Sequence, residues 1–163
     1  MYKVLKPDKC CYLFTNWKFE HKLRYFIEKE TAFNIRMLLC IMKNNFGLGY
    51  GFRNQSEYCL VLEKGNPKYN LNDFSNVIKM QHIQHDEETH PHQKGLQLIK
   101  KIIRHSSSEG DIVLDCFSGS GTTAVACSEL NRKFICIEKD EKYYDLSVER
   151  LSNDTAQQRL FFL

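Results

Sequence analysis

The residues best suited to chemistry form one run, Asp115-Cys-Phe-Ser-Gly-Ser-Gly-Thr-Thr123, between an apolar segment and a helical one. A strand that ends in a glycine loop and continues into a helix offers a ligand unpaired backbone N–H groups and the positive end of a helix dipole. A second acid, Glu138, closes the next predicted strand at the spacing expected of a residue that holds ribose hydroxyls. The run therefore predicts a site for a nucleoside cofactor.

Two cofactor classes compete for this loop. Gly119-Ser-Gly121-Thr-Thr-Ala124 matches the dinucleotide pattern G-x-G-x-x-A, which indicates NAD. Asp115 favours S-adenosylmethionine, because a carboxylate suits that cofactor's cationic ammonium and would repel a pyrophosphate. NAD stays open as an alternative, as does a plain strand-to-helix turn without a ligand. A phosphate loop is excluded because no Lys follows the glycines, and a nucleophile elbow because Phe117 stands where that motif needs glycine.

Strands and helices alternate around the loop. The patterns predict a helix from Gln93 to the breaker at 106–110, then a strand, a helix, a strand and a helix at Asp111–Asp115, Thr122–Leu130, Lys133–Glu138 and Glu141–Leu151. Alternation of this kind implies parallel βαβ units covered on both faces. The expected fold class is α/β.

The first part of the chain is predicted to supply a further set of strands. Apolar runs indicate strands at Lys9–Thr15, Phe33–Met42 and Glu57–Glu63, with a helix over Phe19–Lys29. Residues 65–89 are polar, lack a firm period and contain Gly65-Asn-Pro67, so they are predicted to be an exposed connection.

Composition fits an ordinary globular domain. The chain has 163 residues, 42% hydrophobic and 26% charged, and a net charge of only +3, which neither requires nor excludes a polyanionic partner. Seven Cys without a C-x-x-C pair favour reduced thiols and the cytoplasm. No signal core or membrane-spanning run is present, so no membrane partner is expected. The spacing His82-x-x-His85 with His90-x-His92 is interpreted as loop histidines, so no metal site is expected.

The glycine loop in its context resembles the amino-group DNA methyltransferases, which methylate adenine N6 or cytosine N4. It is preceded by His90-Pro-His-Gln-Lys94 and followed by Glu138 and a helical stretch, which resembles the permuted (beta) class whose cofactor motifs come last. Tyr2-Lys-Val-Leu-Lys-Pro7 is similar to the segment after that family's catalytic strand. Gly47-Leu-Gly-Tyr and Gln55-Ser-Glu-Tyr58 are similar to its later strand region. The likeness covers nearly the whole chain and implies a Rossmann-like S-adenosylmethionine-dependent methyltransferase fold.

The resemblance also implies roles for individual residues. Asp115 would lie near the methionine amino group, Phe117 against the adenine, and Glu138 on the ribose hydroxyls. The full set of implied cofactor contacts is Lys94, Asp115, Phe117, Ser118, Gly119, Ser120, Gly121, Thr122, Thr123 and Glu138. Lys94 matches a family Lys, although Gly95 stands where the family has Pro. Residues 65–89 would read double-stranded DNA, and the candidate phosphate contacts are Lys64, Lys68 and Lys79.

The family's catalytic motif, Asp-Pro-Pro-Tyr, is absent from this sequence, because its three Pro, at 7, 67 and 91, are never adjacent. No catalytic residue can be assigned here. The family places that motif's strand in the middle of the sheet, so we expect an incomplete fold that lacks its central catalytic strand, truncated at the front and unstable alone. The predicted organisation is one partial domain, residues 1–163. Its three parts are the second half of the catalytic subregion at 1–64, the connection at 65–89 and the cofactor-binding subregion at 90–163.

Three functions follow as hypotheses. The first is a DNA methyltransferase, acting on adenine N6 in preference to cytosine N4, whose missing motif comes from a companion chain. The second is a catalytically inactive module that binds cofactor or DNA. The third is an NAD-binding enzyme.

Overall fold

The computed structural model describes residues 1–80 and 95–160, and their side chains as far as residue 153. The elements, in chain order, are β1 Lys9–Thr15, α1 Glu20–Glu30, β2 Asn34–Met42, β3 Ser56–Lys64, β4 Val77–Lys79, α2 Leu96–Ser106, β5 Ile112–Asp115, α3 Thr122–Glu129, β6 Lys133–Cys136 and α4 Glu141–Leu160. They fall into two compact units, Met1–His82 and Ile83–Leu163, whose boundary lies within the predicted connection 65–89. No helix in the described ranges is long and apolar enough to cross a membrane.

The first unit is a four-stranded sheet in the order β1-β3-β2-β4. β3 is antiparallel to both β1 and β2, while the short β4 runs parallel to β2. β3 occupies the middle because its apolar residues are consecutive, so both of its faces can be buried: residues 59–63 are all buried. Helix α1 contributes Ile27 to the core that it forms with Cys11, Leu60 and Leu62. This burial is the main source of stability in the unit.

The second unit contains two parallel strands, β5 and β6, joined through α3. Helix α2 is amphipathic and buries one face, made of Leu98, Ile99, Ile102 and Ile103. It packs on α3, which is buried from Ala124 to Cys127. Lys100 and Glu129 form an ion pair between these two helices. Arg132 reinforces the same region by donating to the carbonyl oxygens of Ser107 and Leu130, at 2.8 and 2.6 Å.

The predicted α/β class is confirmed, and every strand and helix that we predicted is present in the structure, most with bounds shifted by at most a few residues. The structure differs from the prediction at three places. β4 lies in the stretch predicted to be a connection. β6 ends at Cys136, two residues before Glu138. Helix α4 continues to Leu160, nine residues beyond the predicted end, through Ser152-Asn153, which are weak helix formers. Adding a residue to an existing helix costs far less free energy than starting a helix, so α4 can continue through residues of low helix propensity.

Each unit has an edge strand within the described ranges. β1 pairs with β3 alone, and β5 pairs with β6 alone. The missing central strand, the single partial domain and its three subregions stay predictions.

Candidate cofactor site

Asp115 is the last residue of β5, and its carboxylate bridges the two ends of the glycine loop. Oδ1 accepts a hydrogen bond from the backbone N–H of Phe117 at 3.0 Å. Oδ2 accepts one from the Thr123 hydroxyl, in the first turn of α3, at 2.6 Å. Charge-assisted bonds of this length are among the stronger hydrogen bonds in proteins. The acid is therefore fixed at the carboxyl end of a parallel strand, which is where α/β sheets bind their ligands.

The glycine loop needs glycine at two positions for conformational reasons. Gly119 and Gly121 have φ angles of +51° and +78°, in the left-handed region that side chains disfavour. Gly121 is also restricted by α4, because a Cβ there would lie 2.8 Å from Ser147 Cβ and 3.2 Å from Ser147 Cα. The turn is closed by the Gly121 N–H, which donates to the Ser118 carbonyl at 2.9 Å. The second glycine of the pattern thus lets a helix approach closely.

Glu138 lies just beyond β6 and holds the loop from the other side. Its Oε2 accepts a hydrogen bond from the Gly119 N–H at 2.8 Å. Its Oε1 accepts from the backbone N–H groups of Lys139 and Asp140, at 2.9 and 3.0 Å. Glu138 is half-buried, and backbone donors orient its carboxylate. Asp115 and Glu138 together place two carboxylates around the glycine loop at the same end of the β5–β6 pair.

The predicted contact residues differ in their exposure to solvent. The Phe117 ring is 89% exposed, whereas Ser120 and Thr122 are buried. Thr122 accepts a hydrogen bond from Arg150 Nη1 of α4 at 3.1 Å, so its hydroxyl serves the attachment of that helix. The structure brings Asp115, Phe117, Ser118, Gly119, Gly121, Thr123 and Glu138 together around the loop. Lys94 lies outside the described residues.

Two cysteines next to the site are protonated thiols at neutral pH. Burial, followed by the charge of Asp115, raises the pKa of the Cys136 thiol to about 12. Burial raises the pKa of Cys127 to about 11, against a lowering effect of Arg132. Because the thiolate is the reactive form, these two side chains are packing residues and not nucleophiles.

The candidate phosphate-binding lysines belong to the first unit and differ in their surroundings. Lys68 and Lys79 are exposed. Lys64 Nζ donates to the carbonyl oxygens of Tyr2 and Leu5, at 2.8 and 2.6 Å, and lies 4.6 Å from the centroid of the Tyr2 ring. A phosphate contact by Lys64 would have to compete with these interactions, and for all three residues DNA contact stays a prediction. The spaced histidines, 82, 85, 90 and 92, lie outside the described residues.

Two contributors to the site were missed from the sequence. Ser147 fixes the need for glycine at 121, and Arg150 holds the hydroxyl of Thr122. Both lie on α4, three residues apart, which puts them on one face of a helix. The spacing of the two residues could have predicted a shared helix face, but it does not show that this face packs on the glycine loop and on the start of α3.

Comparison with known proteins identifies the family. The profile of the DNA methylase family of N6 and N4 methyltransferases matches residues 1–149. The type II methyltransferase M.HpaI of Haemophilus parainfluenzae is 28% identical over 94% of this chain and 56% of its own length. DNA adenine methyltransferase YhdJ of Escherichia coli K12 is 43% identical over 50% of this chain and 27% of its own.

A solved complex of M1.HpyAVI with SAM superposes with a TM-score of 0.78 at 30% identity, covering 91% of this chain and 76% of that one. The chain spans 56% of M.HpaI and 27% of YhdJ, less than two thirds of either relative. The resemblance to the amino-group DNA methyltransferases and the α/β methyltransferase fold that it implied are confirmed. Because the family profile matches residues 1–149, the chain belongs to the DNA methylase family of N6 and N4 methyltransferases.

Proposed function

We propose that this chain is the cofactor-binding portion of a DNA methyltransferase that transfers a methyl group from S-adenosylmethionine to an exocyclic amine in double-stranded DNA. The observation that carries the proposal is the pair of oriented carboxylates, Asp115 and Glu138, around a glycine loop in a member of this family. Adenine N6 is preferred to cytosine N4, and the name of one relative, the adenine methyltransferase YhdJ, supports that preference.

The residues present fit the cofactor chemically. S-adenosylmethionine supplies an electrophilic methyl group on a sulfonium and carries an ammonium, a ribose and an adenine. Asp115 offers a fixed negative charge to the ammonium, and it is held by two donors that leave lone pairs available. Glu138 supplies a second carboxylate, a type of acceptor that suits ribose hydroxyls, and its bond to Gly119 keeps the loop in place. Phe117 presents an exposed ring on which an adenine can stack.

The same arrangement disfavours NAD. A pyrophosphate beside the loop would meet the charges of Asp115 and Glu138, and the loop 115–123 contains no Lys or Arg to offset them. Gly119, which could donate its N–H to a phosphate, donates it to Glu138 instead.

Methyl transfer needs a group that activates the target amine. The given sequence has no adjacent prolines, so we assign the Asp-Pro-Pro-Tyr motif to a companion chain. A side-chain oxygen and a proline carbonyl there would accept hydrogen bonds from the amine and orient it toward the methyl group. No disulfide joins any of the seven cysteines, which fits action in the reducing cytoplasm.

Cofactor binding is tested by calorimetry on the full chain with S-adenosylmethionine and with NAD. We expect heat of binding for the first, at least about tenfold weaker binding for Asp115→Asn, and no change for Asp111→Asn, whose carboxylate lies before β5 in the loop after α2. Tighter binding of NAD would overturn the assignment.

Activity is tested by mixing the chain with labelled S-adenosylmethionine, duplex DNA and a chain that carries the Pro-Pro motif. Transfer of label only in the complete mixture supports the split enzyme. Binding of cofactor without transfer in any mixture would instead support the inactive module.

A further inference from the structure

Residues 16–26, which lead out of β1 and through the first half of α1, expose aromatic side chains that the cofactor site does not use. Trp17, Phe19, Tyr25 and Phe26 are each more than half exposed. Soluble proteins seldom expose clustered large apolar side chains unless the surface binds a partner. The segment is therefore a candidate binding element.

Two lysines lie on one exposed side of this segment. Lys18, Lys22 and Tyr25 recur at intervals of four and three residues, the spacing of one helix face, and all three are exposed. Lys18 precedes α1, but the Glu20 N–H donates to the Asn16 carbonyl at 3.0 Å, which is the bond of a helical turn. The helical spacing therefore extends back to Lys18. We call Lys18 and Lys22 the lysine pair.

The ammonium groups of the lysine pair lie near aromatic rings. Lys18 Nζ is 5.7 Å from the centroid of the Trp17 ring, and Lys22 Nζ is 5.8 Å from the centroid of the Phe19 ring. A cation within about 6 Å of a ring centroid is attracted to the face of the ring. The rings therefore favour one position for each ammonium group.

The acid between the two lysines has its own partner. Glu20 Oε1 accepts a hydrogen bond from Arg24 Nε at 2.9 Å, and Arg24 Nη2 lies 2.8 Å from the same oxygen. The other acids of α1 lie in its last turn. Within the described ranges neither lysine of the pair forms an ion pair with a carboxylate. The start of α1 therefore carries exposed positive charge, which suits an anionic partner.

The lysine pair lies at the end of the sheet where α/β proteins bind their ligands. β1 and β2 are parallel to each other, because each is antiparallel to β3. Helix α1 joins them, so it begins at the carboxyl end of β1 and ends at the amino end of β2. Ligands of such sheets bind outside the carboxyl ends of the strands. Lys18 and Lys22 are at that end, whereas Lys29, in the last turn of α1, is at the opposite end.

We infer that Lys18 and Lys22 bind phosphates of duplex DNA. The inference rests on the proposed function, since it takes duplex DNA as the substrate, and it adds a contact outside the connection 65–89 that is predicted to read DNA. Phosphate contacts fix the position and orientation of a duplex without reading its sequence. Each lysine that neutralises a phosphate also releases counterions, so its contribution can be measured as a dependence on salt.

The test measures binding of the full chain to a duplex of about 20 base pairs by fluorescence anisotropy, at salt concentrations from about 50 to 200 mM. The variant is Lys18→Met/Lys22→Met, whose side chains are exposed, so the fold should be kept and is checked by circular dichroism. The matched control is Lys29→Met/Lys133→Met, which removes the same charge from two exposed lysines. Lys29 is in the last turn of α1, and Lys133 is the first residue of β6.

We expect the slope of log K against log salt to become shallower by about 1.8 in the Lys18→Met/Lys22→Met variant, about 0.9 for each phosphate contact, with a uniform loss of affinity across sequences. The control should keep the slope of the original chain. An unchanged slope in the variant would overturn the inference. An equal change in the control would also overturn it, because net charge alone would then explain the result.

Two further outcomes would contradict the inference. One is failure of the original chain to bind the duplex. The other is self-association that the Lys18→Met/Lys22→Met variant loses while its salt slope stays unchanged, which would make a second copy of this chain the partner of α1.

Failure of the proposed function is a separate result. Calorimetry with S-adenosylmethionine on the Lys18→Met/Lys22→Met variant should give the affinity of the original chain. A chain that binds DNA through the lysine pair but binds no cofactor would contradict the proposed function and leave the inference intact.

Discussion

The backbone N–H of Gly119 donates a hydrogen bond of 2.8 Å to Oε2 of Glu138, so the acid predicted to hold a ribose also holds the glycine loop. In the proposed function, loop shape and cofactor recognition depend on the same carboxylate. A carboxylate can accept about four hydrogen bonds, and three backbone donors already use this one. These backbone donors therefore orient the Glu138 carboxylate.

Replacement of Glu138 by Ala should lower the free energy of unfolding by about 2 kcal/mol, the range for a lost hydrogen bond to a charged group. The half-buried Gly119 N–H then has no acceptor, whereas the N–H groups of Lys139 and Asp140 can turn to water. Urea unfolding of the full chain measures the effect, with Glu109→Ala as a control because Glu109 is exposed in the loop after α2. Equal stability of the two variants would show that Glu138 does not hold the loop.

Replacement of Gly121 by Ala should cost more than the same change at Gly110. Both glycines have φ near +79°, at +78° and +79°, so both variants incur the left-handed penalty of about 1–2 kcal/mol. Only at Gly121 does the new Cβ also meet Ser147, since nothing lies within 4 Å at Gly110. The difference between the two losses of stability isolates the contact with α4. Adding Ser147→Gly should recover part of it, and no recovery would contradict the contact.

The sequence predicted element types well where apolar period and length agreed, as in β1, whose bounds Lys9–Thr15 were predicted without error. β4 was missed because three residues carry no period, and its place is fixed by tertiary bonds such as Cys40 N–H to the Asn76 carbonyl at 2.7 Å. In the candidate site, the motif predicted cofactor contacts by Asp115 and Glu138, and the structure places both carboxylates at the glycine loop. The bond from Arg150 to Thr122 was not foreseeable, since it depends on how α4 packs.

Stability should fall at alkaline pH because of Cys127 and Cys136. Their pKa values are raised from 9.0 to about 11 and about 12 in the folded chain, largely by burial. Below pH 9 both states keep these protons. Above pH 9 the unfolded chain releases them and the folded chain does not, so unfolding is favoured as pH rises toward 11 to 12.

The measurement is urea unfolding at about pH 8 and about pH 10.5, where ionisation of the unfolded thiol is small and large respectively. Cys136→Ala should show a smaller loss of stability between the two pH values than the original chain. Val113→Ala removes apolar volume from the neighbouring strand without a titrating group, so its loss between the two should equal that of the original chain. An identical pH dependence in all three would exclude a part for the Cys136 thiol.

Lys64 and Lys68 should respond differently to replacement by Met. Lys64 binds the carbonyl oxygens of Tyr2 and Leu5 and lies against the Tyr2 ring, so its loss should weaken the attachment of the N-terminal turn to β3. Lys68 is exposed, so its loss should leave stability unchanged.

If Lys68 contacts a phosphate, the slope of log K against log salt for duplex DNA should become shallower by about 0.9, with a uniform loss of affinity across sequences. We expect that change for Lys68→Met, and a fall in the urea midpoint with little change in salt slope for Lys64→Met. A shallower slope for Lys64→Met at unchanged stability would contradict this and support Lys64 as a phosphate contact.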